Sequence, residues 1–126
     1  MGNGTSIGRV RGLGSAKSGT HHWLLQRWTA IGNLVLIAYL AVSLLLLPGL
    51  GYQAVSEWIS HPVPAAAVAL LIVSTFWHAR LGLQVFIEDY LQDANRLAAL
   101  IALNLVTFAG AAFGLLSIIR LALGGA

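Results

Sequence analysis

The segment STFWHARLGLQVFIEDYL, residues 74–91, places a histidine, a glycine and an aspartate–tyrosine pair at spacings suited to one helical site. At about 100° per residue from His78, Gly82 falls about 40° round, Asp89 about 20°, and Ser74 about 40° to the other side. Tyr90 lies about 120° round and Arg80 about 200°, on nearly the opposite face. An imidazole in an apolar helix has two uses. It can bond a neighbouring helix as a neutral polar group, or it can ligate haem iron, for which neutral imidazole is a common axial donor. Gly82 and Ser74, one turn to either side, leave room for a flat macrocycle, although the same smallness serves close helix packing. Further along, about 18 Å from His78, a phenol beside a carboxylate can hydrogen-bond a quinone carbonyl and help supply protons. Asp89 could equally end the helix, and Tyr90 could belong to an interfacial aromatic belt.

The elements that position these groups follow from composition. Of 126 residues, 58% are hydrophobic and 9% charged, with a mean hydropathy of +0.82; soluble domains use roughly 25% charged residues. Helices are predicted at about 24–47, 64–88 and 96–120, each long enough to cross a bilayer, which takes about 20 apolar residues. Stretches such as LVLIAYLAVSLLLL and AAAVALLIV show no polar face, which argues against a soluble bundle. The expectation is an all-α integral membrane protein with three transmembrane helices. Residues 1–22, Gly-rich and free of acids, are expected to form a flexible cytoplasmic segment, and residues 23–126 a three-helix anchor domain.

Orientation follows from the basic residues. Arg9, Arg11, Lys17 and Arg27 precede or open the first span and Arg96 opens the third, whereas residues 48–63 contain no Lys or Arg. This distribution predicts a cytoplasmic N-terminus and second loop, with Arg120 as the one dissenter. The pI of 10.0 does not signal nucleic acid, because the basic residues form no dense patch. Without cysteine, the chain can offer neither a disulfide nor a thiolate metal site. Six-coordinate haem needs two axial donors, and only His78 has suitable depth: His21 and His22 are expected to precede the first helix, and His61 to lie in the outer loop. A second ligand would come from another chain. In the third helix, Gly110 and Gly114 form a GxxxG spacing suited to close packing, and Asn104 and Thr107 could add interhelical hydrogen bonds.

HARLGLQVFIEDYL resembles the second-helix pattern of the small cytochrome b membrane-anchor subunit of succinate dehydrogenase (complex II). The matching positions are His78, Gly82, Asp89 and Tyr90. The start of the first helix, HHWLLQRWTAIGN, is also similar to that family through Arg27, Thr29 and Ala30. The resemblance implies haem b ligation by His78, a haem edge near Gly82 and Ser74, and a propionate met by Arg27. It implies a ubiquinone site using Tyr90, with Asp89 organising the pocket, and no catalytic residue for succinate oxidation in this chain. The implied partners are a second anchor subunit supplying the other histidine, an iron–sulfur subunit and a flavoprotein, at the bacterial cytoplasmic membrane. Two alternatives stay open: a fumarate reductase anchor, and a haem-free transmembrane scaffold. Arg80 departs from the family pattern, where an aromatic can stand; it is expected to meet the iron–sulfur subunit, a lipid phosphate, or Glu88 and Asp93.

Overall fold

The computed structural model describes residues 18–124, which form four helices: α1 (Gly19–Leu45), α2 (Tyr52–Ser60), α3 (Pro62–Tyr90) and α4 (Asp93–Ala122). No strand occurs among these residues. Helices α1, α3 and α4 are each long and apolar enough to cross a membrane, as the three apolar blocks require. The flexible leader expected at residues 1–22 lies mostly outside the described residues. Its last part differs from expectation: α1 begins at Gly19, so His21 and His22 sit in its first turn. His22 N–H donates to the Ser18 carbonyl at 3.0 Å, extending the ladder upstream of the apolar run.

The first connection also differs from a plain loop. It contains α2, YQAVSEWIS, in which Val55 and Ile59 recur one turn apart, and Ile59 is only 2% exposed. This helix packs on both α3 and α4. Pro62 then opens α3 at a position where the missing N–H costs nothing, while His61 takes the extended conformation favoured before proline (φ −75°, ψ 143°). At the other end α3 and α4 are joined through Leu91 and Gln92 alone, and Asp93 adopts φ 51° to reverse the chain. Aspartate tolerates that left-handed region better than most residues.

Helix α3 is the centre of the molecule. It packs on α1 along one side and on α4 along the other, and α1 and α4 make no contact with each other among the described residues. Small residues allow both approaches. A Cβ added at Gly110 would lie 2.5 Å from Phe76 Cε1, and one at Gly114 would lie 3.1 Å from Ile72 Cγ2. The GxxxG face of α4 is thus a packing face against α3. A row of three helices encloses little: among the described residues the buried apolar side chains are Ile59, Pro64, Ala67 and Leu81. Its two broad faces point outward, an arrangement that lipid or neighbouring apolar helices tolerate and water does not.

Candidate cofactor and quinone site

The α1–α3 seam carries the polar constellation. Thr29 Oγ1 of α1 lies 3.0 Å from His78 Nδ1 of α3. The same hydroxyl donates back within its own helix, to the Leu25 carbonyl at 2.8 Å and the Gln26 carbonyl at 3.1 Å. A hydroxyl has one proton. Assigned to the shorter of those contacts, it leaves Oγ1 to accept from His78, so Nδ1 carries the imidazole hydrogen and Nε2 a lone pair. His78 Nε2 makes no hydrogen bond among the described residues. Ser74, one turn away, donates to the Thr29 carbonyl at 3.4 Å, and its Oγ lies 3.8 Å from where a Cβ on Gly32 would sit. The structure therefore brings Ser74 and His78 together on α1, as the helical wheel requires.

Gly82 continues this side of α3: a Cβ there would lie 3.4 Å from Gln26 Nε2. It lines a cleft of 640 Å³ between the start of α1 and the end of α3, with His22, Trp23, Gln26 and Glu88 among the other walls. His78 is not part of that lining. His22 Nε2, Gln26 Oε1 and Asn33 Oδ1 are buried without a hydrogen-bond partner. Sequence reading did not single out these three. Their signal was a helical stripe, His22, Gln26, Thr29 and Asn33 at i, i+4, i+7 and i+11, that shares one side of α1 with the hydroxyl meeting His78.

The remaining site residues are farther apart. Arg27, two residues before Thr29 and so about 200° from it round α1, stacks over the Trp23 ring at 4.8 Å and is exposed. Tyr90 is 73% exposed in the last turn of α3 and stacks on Phe86 with centroids 4.6 Å apart. Asp89 beside it is also exposed. The structure gathers neither Arg27 nor the Asp89–Tyr90 pair around His78. Among the described residues no group of three or more His, Cys, Asp or Glu side chains could hold a bare metal ion.

Arg80 is placed on the α4 side of α3. Its Nε donates to Asn104 Oδ1 at 2.6 Å, and its guanidinium lies 5.6 Å from the Trp77 ring centroid. Of the partners left open for Arg80, Glu88 is engaged elsewhere. It accepts from Gln84 at 2.9 Å and faces Arg96 at 3.8 Å. Asn104 makes the interhelical bond its position allowed; Thr107 is buried at 7% exposure.

Three long apolar helices, with polar side chains meeting in the seams between them, define a multi-pass membrane protein. The chain belongs to the succinate dehydrogenase/fumarate reductase transmembrane subunit family, whose model matches residues 1–113. It is similar to the succinate dehydrogenase hydrophobic membrane anchor subunit of Rickettsia bellii, 35% identical over 91 residues that cover 72% of each chain. The Paracoccus denitrificans protein of the same description is 31% identical over 116 residues, 91% of this chain and 89% of that one. No solved structure matches the chain.

Proposed function

We propose that this chain is the membrane anchor of a succinate:ubiquinone oxidoreductase, forming half of a heterodimeric haem-binding bundle and part of a ubiquinone site. Family membership supports the anchor role, and the names of the curated relatives favour succinate oxidation over the fumarate reductase that the family description also covers. One observation carries the haem assignment: Thr29 Oγ1 lies 3.0 Å from His78 Nδ1 while donating to its own helix backbone, an arrangement that suits the Nδ1–H tautomer and leaves Nε2 as the donor a haem iron would need. His78 Nε2 would hold the iron, and the second axial histidine would belong to the partner anchor. Haem b, when bound, supplies a one-electron redox centre within the bilayer. Ser74 and Gly82 keep this side of α3 low, which lets α1 bring Thr29 to the imidazole.

At the end of α3, the exposed Tyr90 phenol donates a hydrogen bond to a ubiquinone carbonyl, and Asp89 holds or passes a proton at its carboxylate. Exposure suits both roles, since the pocket would be completed by the second anchor and the iron–sulfur subunit. The flavoprotein and iron–sulfur subunits would oxidise succinate, and the isolated chain would oxidise none. The Lys/Arg distribution supports placing the N-terminus and the α3–α4 turn in the cytoplasm, and the bacterial relatives support the cytoplasmic membrane. The test is a reduced-minus-oxidised spectrum of the assembled complex carrying His78→Ala. Loss of the b-type bands is expected; an unchanged spectrum rejects the ligand assignment.

A further inference from the structure

Arg80 holds a positive charge at a depth where this chain provides no counter-charge. Its four acidic residues are Glu57, Glu88, Asp89 and Asp93. Glu57 lies in α2, Glu88 is tied to Gln84 and Arg96, and Asp89 and Asp93 flank the α3–α4 turn. Arg80 stands about 15 Å along α3 from Tyr90, and Asn104 stands about as far along α4 from its start. The bond between them therefore holds Nε at Arg80's own depth and keeps the side chain from snorkelling toward the headgroups. A bilayer's apolar half is about 15 Å thick.

The guanidinium is only partly used. Of its five N–H donors, the Nε hydrogen goes to Asn104, and the Nη groups make no hydrogen bond or ion pair among the described residues. Neither Nη is a buried atom lacking a partner, so this edge of the fork reaches the outside of the helix row. Left there, it would face hydrocarbon with an uncompensated charge, which is costly.

We propose that the outward edge of the Arg80 guanidinium is a docking site for a carboxylate on a transmembrane helix of a partner subunit. A neutral carbonyl would satisfy the N–H groups and leave the charge. A lipid phosphate lies too near the surface for a side chain held level with Asn104. A carboxylate matches the fork in a bidentate pair and cancels the charge. A cofactor carboxylate associated with His78 would be on the other side of α3, where α1 packs. The inference needs only that the chain is a subunit of a membrane complex, and stands apart from the haem and quinone assignments.

The complex is purified from its native membranes in mild detergent with wild-type, Arg80→Lys and Arg80→Gln anchors. Arg80→Gln keeps an amide donor for Asn104 and removes the charge. It is expected to lower anchor retention at least about tenfold by stranding the partner's carboxylate, with partial recovery in Arg80→Lys. A photo-reactive benzoylphenylalanine at position 77, beside Arg80, is expected to cross-link to a partner peptide that is apolar and contains Asp or Glu. Reversing both charges, Arg80→Glu with that acid changed to Arg, is expected to restore retention. Wild-type retention in Arg80→Gln overturns the proposal, as does a cross-link solely to phospholipid. Failure of the reversed pair to recover assembly, when Arg80→Lys does recover it, also overturns it.

Discussion

Thr29 and His78, separated by 49 positions in the chain, meet at 3.0 Å across the α1–α3 seam. The pair makes the orientation of an intramembrane imidazole a property of two helices. Its hydrogen bond continues into the Leu25 carbonyl, so the backbone of α1 ultimately sets which ring nitrogen carries the hydrogen.

Removing that hydroxyl while keeping the side-chain shape should loosen the histidine without removing it. Thr29→Val is expected to reduce haem affinity by about tenfold to a hundredfold, the usual effect of losing a partner that orients a metal-bound histidine. Thr29→Ser should retain near wild-type content. Haem per complex, measured by pyridine haemochromogen absorbance, checks both; equal content in Thr29→Val and wild type would refute the orienting role.

Tyr90→Phe should separate the two ends of electron transfer. Quinone reduction by the complex is expected to fall about tenfold, as for a lost substrate hydrogen bond. Succinate oxidation with an artificial acceptor should be unchanged. Parallel loss of both activities would point to an assembly defect.

The α3–α4 contact predicts an order of damage. Gly110→Ala brings a methyl to 2.5 Å from Phe76 Cε1, whereas Gly114→Ala brings one to 3.1 Å from Ile72 Cγ2. Overpacking of the first kind should destabilise by about 1–3 kcal/mol, the second by less. Adding Phe76→Leu to Gly110→Ala should recover part of the loss. Unfolding midpoints in detergent test the order, and equal midpoints for the two glycine variants would contradict it.

Glu88→Gln should do little to stability, under about 1 kcal/mol. The Arg96 ion pair is 3.8 Å long and its side chains are 46% and 34% exposed. A larger drop in thermal midpoint would show that Glu88 is held by something more than this pair.

Much of the molecule was determined by local chemistry. Largely apolar runs as long as a bilayer crossing, without the alternation of a barrel strand, leave helix as the way to satisfy backbone N–H and C=O groups, so the three spans were legible from residue types alone. So was the sharing of one side of α3 by Ser74, His78 and Gly82, because a helix's periodicity is intrinsic to it. The GxxxG spacing likewise showed a packing face. The short helix α2 was harder to see. Its nine residues are too few to be stable alone, and Ile59 is buried only because α3 and α4 are there to receive it.

Tertiary structure decided which neighbour each side met. The sequence placed Arg80 opposite His78 but contained no information on what stood beside it, since Asn104 enters only once α4 folds back through the Leu91–Gln92 turn. In the same way Thr29 was one hydroxyl in an apolar helix until α1 and α3 aligned it with His78. Helical periodicity fixes directions around one axis, whereas hydrogen-bond partners depend on the relative rotation and depth of two axes, and those are set by how Gly32, Gly82, Gly110 and Gly114 let the helices approach.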